Sequence, residues 1–269
     1  MTSSELLDRM DAIAREAGRA IYDIWKSGCA VTTKADGSPV TIADEQAEAI
    51  ILAGLAAAAP GVPVIAEEAQ AAGDQTRGGT RFFLVDPLDG TSGFTEGGAE
   101  FTVNVALIED GVPTLGVVYA PATGELYLGG PDGAFHARCL PATAALDEGP
   151  SRIVVDQRTS GLRGVKSRTS DGLDAFLKRA GVTQMRQASS SLKFCLVATG
   201  EADLYPRFGP INEWDAAAGD AVLRAAGGGM MTLKGALLRY GQTPGDTLIR
   251  GFVAYGGAGA EAAARAALA

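Results

Sequence analysis

The densest run of chemistry-bearing residues is Asp86-Pro87-Leu88-Asp89-Gly90-Thr91, directly after the apolar stretch Phe82-Phe83-Leu84-Val85. A strand end is a rigid place from which to project side chains. Pro87 and Gly90 fold the chain sharply, so both carboxylates can turn toward one point. A hard divalent cation takes such oxygen ligands, and the Leu88 carbonyl offers another. The amides of Gly90 and Thr91 stand beside them as donors suited to phosphate oxygens. The same six residues also suit a turn whose aspartates cap backbone amides. Further acids hold similar places. Glu67, followed by Glu68, ends an apolar run over 62–66, Asp44 lies in the first turn of a helical segment, and Asp215 opens another after Trp214. Each alone fits a cap or a solvated loop. Four acidic sites at strand ends and helix starts together point to a convergent metal site.

Composition narrows the alternatives. The chain has 269 residues, 46% of them hydrophobic, and one histidine, His136. A Ser-His-Asp or Cys-His site would have to use His136, whose setting Gly133-Ala134-Phe135-His136 reads as a short strand with a structural or surface role. Catalysis must therefore come from carboxylates, hydroxyls, backbone groups or metals. The count of 23 Lys+Arg against 32 Asp+Glu gives a net charge of −9, which offers no basic face to nucleic acid. A polyanionic substrate needs cations or local basic groups to reverse that field. Cys29, Cys139 and Cys195 are odd in number and far apart, so neither a disulfide framework nor a thiolate zinc site is expected. They read as small buried hydrophobes of a reducing compartment. Met1-Thr2-Ser3-Ser4-Glu5 lacks the basic start of a signal peptide, and the apolar stretch 50–60 is too short to span a bilayer.

The elements that must position these acids follow from periodicity. Leu6, Met10, Ile13, Ala17, Ile21 and Ile24 recur at steps of three and four, predicting a helix over 3–27 that stops at Gly28. A polar turn, 34–39, precedes a second helix over 41–59, where Thr41 and Asp44 form a cap-plus-acid start. Period two then predicts strands at 62–66, 81–85, 101–108, 113–119, 124–128 and 133–136, with Glu109-Asp110-Gly111 as a hairpin turn. Residues 141–150 read as a linker at a domain boundary. Beyond it come strands at 152–155, 183–187 and 202–205 and helices at 171–180, 190–200 and 214–226. Short strands near 229–233 and 251–255 and a terminal helix in 256–269 complete an α/β pattern.

Taken together, these segments resemble the lithium-sensitive, magnesium-dependent phosphatase superfamily, which includes inositol monophosphatases, fructose-1,6-bisphosphatases and 3'(2'),5'-bisphosphate nucleotidases. The resemblance rests on Asp86 to Thr91, Glu67-Glu68, Val40-Thr41-Ile42-Ala43-Asp44 and Trp214-Asp215-Ala216-Ala217-Ala218-Gly219, in matching order and spacing over nearly the whole chain. Within it, Ser189-Ser190-Ser191-Leu192-Lys193-Phe194-Cys195, Tyr205-Pro206-Arg207-Phe208-Gly209-Pro210 and Glu100-Phe101-Thr102-Val103-Asn104 resemble nucleotidases of the CysQ type. Two stretches depart. Ser92-Gly93-Phe94 stands where the family commonly has Lys-Glu-Phe, and Ser167-Arg168-Thr169-Ser170 where it has Ser-Arg-Ser-His.

The resemblance implies a layered αβαβα sandwich. Residues 1–145 would form an N-terminal α+β half with most metal ligands, and 146–269 a C-terminal α/β half with Asp215 and the nucleotide contacts. It implies two or three Mg²⁺ ions. Glu67, Asp86 and the Leu88 carbonyl would hold the first, Asp86, Asp89 and Asp215 the second, and Asp44 would help position a third ion or its water. Thr91 with Asp44 would orient the attacking water, and Glu67 would take its proton. The implied substrate is 3'-phosphoadenosine 5'-phosphate, cleaved to AMP and phosphate, held by Glu67, Leu88, Asp89, Gly90, Thr91 and Asp215. Lys193 and Arg207, with Arg168 behind them, are candidates for its second phosphate; Arg207 could instead pair with Glu213. The alternative substrates are an inositol phosphate or fructose 1,6-bisphosphate. A cytoplasmic monomer or homodimer is implied, with no integral membrane segment and peripheral attachment to the inner membrane as an option.

Overall fold

The computed structural model describes residues 1–28, 30–33, 39–167, 173–243 and 245–269. Cys29, most of the polar turn, Arg168 and the start of the helix expected at 171 lie outside them. Helix α1 (Ser3–Ser27) begins with a reciprocal capping box. Thr2 Oγ1 accepts from Glu5 N at 3.2 Å, and Glu5 Oε2 accepts from Thr2 N at 2.7 Å. Its predicted stripe is buried from Leu6 to Ile21, with Ile24 packed at the margin.

A two-stranded hairpin, β1 (Val31–Thr33) and β2 (Pro39–Thr41), leads into α2 (Ile42–Ala58). Next come β3 (Val64–Ala66), the short α3 (Glu67–Ala71), β4 (Arg81–Asp89) and α4 (Thr91–Thr95). A meander follows: β5 (Thr102–Glu109), β6 (Val112–Ala120), β7 (Glu125–Gly130), β8 (Gly133–Cys139) and β9 (Leu146–Ile153). The hairpin turn expected at Glu109-Asp110-Gly111 has Asp110 at φ +49° and Gly111 at φ +76°, the left-handed pair that a tight two-residue turn requires.

Strands β3 to β9 form one seven-stranded sheet in sequence order, β3 parallel to β4 and the rest antiparallel. This corrects the linker expected over 141–150. Leu146–Ile153 is a strand paired with β8, so the first sheet runs past residue 145 and absorbs the start of the strand expected at 152–155. Gly149 and Pro150 hid it, since both are turn residues that an exposed edge strand tolerates.

The second part contains β10 (Leu162–Lys166), α5 (Asp174–Arg179), β11 (Val182–Gln187), α6 (Leu192–Ala198), β12 (Leu204–Arg207), β13 (Ile211–Asn212) and α7 (Glu213–Ala225). It ends with β14 (Gly229–Thr232), β15 (Leu248–Ile249), β16 (Phe252–Tyr255) and α8 (Ala258–Leu268). A mixed sheet takes the order β11-β10-β12-β16-β14, while β13 and β15 form a small ribbon at the start of α7. Strand β10 escapes the sequence pattern because Arg163 and Gly164 interrupt its apolar residues.

Three apolar clusters define five layers. α1 and α2 pack on one face of the large sheet, α6 and α7 fill the space between the sheets, and α5 and α8 cover the far face of the second sheet. This is the αβαβα arrangement the resemblance implies. The middle layer lies close because α7 is built of small residues. At Gly129 of β7, an added Cβ would stand 2.6 Å from Val222 Cα.

Candidate active site

Strand β4 does not stop at Val85; it carries Asp86 and Asp89 itself. Residues three apart on a regular strand face opposite sides. Here Asp86 pairs with Asn104 and Asp89 with Thr102, so β4 spends three steps where β5 spends two. That extra residue is a bulge, and it lets both carboxylates serve one cleft. Asp86 Oδ1 accepts from Leu88 N at 3.0 Å, which fixes the bend. Gly90 follows at φ +99°, and a Cβ there would collide with Ser190 Oγ, so glycine is required.

Glu67 enters from the first residue of α3, immediately after β3 pairs with β4. Asp215 enters from the opposite layer, in the first turn of α7, where its Oδ2 accepts from Asn212 N at 2.9 Å. One carboxylate oxygen each from Glu67, Asp86 and Asp215 lie within 4.8 Å of one another. Asp89 lines the same cavity of about 490 Å³, with its Oδ2 3.3 Å from Ser191 Oγ. Leu88, Gly90, Thr91, Lys193 and Arg207 line it as well.

Asp44 stands behind Thr91 rather than on the wall. Its Oδ2 accepts from Thr41 N and Thr41 Oγ1, both at 2.8 Å, in the helix-start cap expected from the sequence. Its Oδ1 faces Thr91 Oγ1 at 3.1 Å. The Thr91 hydroxyl also reaches the Leu88 carbonyl at 3.0 Å, and its single proton serves one of the two. Capping and site-building are thus performed by one carboxylate.

Burial dominates the electrostatics. Asp86 is pushed well above the ordinary carboxylate range by burial, then by the charges of Glu67, Asp89, Asp215 and Asp44. Asp215 is raised to about 7 by burial and by Asp89, against the hydrogen bond from Asn212. Asp89 and Asp44 are raised by burial too. Among the described residues no Lys or Arg forms an ion pair with Asp86, Asp89 or Asp215. Across β5, Thr102 Oγ1 is buried without a hydrogen-bond partner, and the buried Asn104 side chain stands beside Asp89. Crowded carboxylates with all-oxygen donors fit a hard divalent cation, which offsets both their desolvation and their repulsion.

The basic candidates differ from a surface reading. Lys193 is buried in α6, its Nζ donating to the Ser190 carbonyl at 2.6 Å and lying 5.4 Å from the Tyr205 ring centre. Burial lowers its pKa to about 8. Arg207 donates from Nη2 to the Pro210 carbonyl at 3.2 Å, and its buried Nε has no partner. Among the described residues the alternative pairing of Arg207 with Glu213 is not formed; both Glu213 oxygens instead face Gly241 N, at 2.9 and 3.0 Å. His136 contacts Glu125 and stacks on Tyr127, consistent with its structural reading.

Sequence reasoning gave no role to Ser190 and Ser191, which tie the layers together. Ser190, at φ +52°, places its hydroxyl 2.8 Å from the Asp89 carbonyl, and Ser191 Oγ lies 3.0 Å from the Asp215 carbonyl, so its single proton serves either that carbonyl or Asp89 Oδ2. A left-handed non-glycine residue at a cleft is stored strain, and a serine run does not signal it in sequence.

Known proteins share this organisation. A family model described as the inositol monophosphatase family matches residues 4–267. The 3'(2'),5'-bisphosphate nucleotidase CysQ of Salmonella typhimurium is 40% identical over 248 residues, 91% of this chain and 96% of the relative. Its Haemophilus influenzae namesake is 30% identical over 92% of this chain and 91% of its own length. The crystal structure of CysQ from Bacteroides thetaiotaomicron superimposes with a TM-score of 0.74 at 33% identity, covering 95% of this chain and 98% of that one. With a match that runs from the first turn of α1 to the end of α8, the chain belongs to the inositol monophosphatase family.

Proposed function

We propose that the protein is a Mg²⁺-dependent 3'(2'),5'-bisphosphate nucleotidase that cleaves the 3'-phosphate of 3'-phosphoadenosine 5'-phosphate to give AMP and phosphate. The observation that carries a phosphomonoesterase is the meeting of Glu67, Asp86 and Asp215 from three elements. The nucleotide substrate is supported by the 40% identity to nucleotidases over nine-tenths of the chain.

Glu67, Asp86 and the Leu88 carbonyl would hold one ion, and Asp86, Asp89 and Asp215 a second. Asp44 would help place a third ion or its water. Bound Mg²⁺ supplies Lewis-acid activation of water and stabilises charge on the transferring phosphoryl group and the leaving ribose oxygen. The chain's own groups do the rest. Thr91, turned toward Asp44, orients the attacking water with its hydroxyl. Glu67 accepts the proton that water loses. The amides of Gly90 and Thr91 face phosphate oxygens. Arg207 has an unused buried N–H and Lys193 further ammonium protons, so both are assigned to the second phosphate. The site would lie between the two halves of the chain, in a monomer or homodimer working in the cytoplasm. No helix of the described residues is long and apolar enough to cross a membrane.

Steady-state kinetics with Mg²⁺ on 3'-phosphoadenosine 5'-phosphate, inositol 1-phosphate and fructose 1,6-bisphosphate test this reading. The expected result is the highest kcat/KM on the nucleotide. A preference for inositol 1-phosphate or fructose 1,6-bisphosphate would contradict the substrate assignment while leaving the metal chemistry standing.

A further inference from the structure

A buried carboxylate beside the cleft has no part in the chemistry above. Glu48 lies in α2, one turn beyond Asp44, and is 5% exposed. Its Oε2 accepts from Glu68 N and its Oε1 from Ala69 N, both at 2.8 Å. Those amides belong to the first turn of α3, directly after Glu67.

Helix α3 meets the core through the partly buried Ala69. It spans five residues, too few to be stable alone, and none of its side chains is fully buried. Its N-cap is Ala66, which has no polar side chain to close the first turn. Upstream, the pairing of Ala66 with Val85 anchors the chain. Downstream of Glu67, both oxygens of Glu48 seize successive amides, and charge-assisted bonds of this kind are short and strong. α2 is itself fixed by Ala43, Ala47, Ile51 and Leu55 in the core. Because the same helix carries Asp44 against Thr91, it sets the Glu67 segment and Thr91 in one frame.

We propose that Glu48 is a positioning residue, which fixes the backbone at Glu67 and so places the Glu67 carboxylate beside Asp86 and Asp215. The proposal rests on reading Glu67 as a metal ligand. It differs from a plain helix cap in what it predicts: loss of Glu48 acts through Glu67.

The test is the Mg²⁺ affinity of the metal-free full chain, read by calorimetry and by the Mg²⁺-induced rise in Tm, for wild type, Glu48→Gln, Glu67→Gln and the double variant. Glu48→Gln keeps the size and one acceptor. It is expected to weaken Mg²⁺ binding about 10- to 100-fold, the usual cost of losing a group that orients a ligand. Added to Glu67→Gln, it is expected to weaken binding by less than about threefold more, because coupled residues are not additive. Phosphate-release assays should show kcat falling while KM for 3'-phosphoadenosine 5'-phosphate stays within about threefold. Glu48→Asp, which keeps charge and both oxygens, should recover part of the Mg²⁺ affinity, and it serves as the test if Glu48→Gln does not fold. Wild-type affinity in Glu48→Gln, or its full loss repeated on top of Glu67→Gln, overturns the proposal. If Glu48→Asp stands in, wild-type affinity in that variant overturns it equally. A wild type indifferent to Mg²⁺ overturns the metal reading and this inference with it.

Discussion

Asp89 and Asp215 reach the cleft from opposite layers, and each brings a buried carboxylate whose proton affinity is raised. Replacing either with Asn keeps shape but removes the charge that would hold the ion. Phosphate release from every phosphomonoester should fall by about 10²-fold or more. Residual turnover near wild type would show that the residue is not a ligand. Thr91→Ala should lower kcat by about 10²-fold, the scale of a positioned proton-handling group, with the fold unchanged by circular dichroism. Lys193→Ala should damage the bisphosphate far more than inositol 1-phosphate; equal losses would remove Lys193 from the 5'-phosphate. The ligand candidates were legible because each sits in a short local pattern: Asp86 to Thr91, a capped Asp44, an acid after a strand. Lys193 was not. A lysine in a short helix reads as solvated, and its burial depends on the Tyr205 ring, which periodicity cannot supply. Glu48 was hidden for the same reason, since one glutamate among the helix's acids reads as surface.

At the scale of elements, two devices bring the acids together. The bulge in β4 turns Asp86 and Asp89 to one side, and the small residues of α7 let Asp215 approach from the other layer. Gly129→Val would drive a side chain into Val222. The expected cost is about 1–3 kcal/mol, seen as a lower Tm, because an overpacked interface must shift. An unchanged Tm would mean that α7 can recede without loss. Gly90→Ala should cost activity as well as stability, since φ +99° strains any other residue and Ser190 leaves no room. Helices α1, α2 and α7 were readable almost to their ends from caps and stripes. The bulge was not, because a strand pattern gives period but not register. Nor was β9, whose pairing with β8 rather than its own residues makes it a strand.

For the whole molecule, five layers bury a set of like charges near their middle, which ties stability to protons and metal. A carboxylate whose pKa rises on folding binds protons more tightly in the folded state. Its contribution therefore favours the metal-free protein below the unfolded value near 4 and is lost as pH climbs through the folded value, about 7 for Asp215. Protons and Mg²⁺ compete for the same oxygens, so the Tm gain from millimolar Mg²⁺ should be larger at pH 8 than at pH 6. An equal gain at both would mean that the ion binds elsewhere. The layering was partly visible as alternating strands and helices, but the order β11-β10-β12-β16-β14 depends on contacts between distant segments. The most direct measurement is an anomalous difference map from crystals of the full chain soaked in Mn²⁺, a stand-in for Mg²⁺. The account predicts a peak among Glu67, Asp86 and Asp215. A map with no peak there, at Mn²⁺ concentrations that support phosphate release, would contradict it.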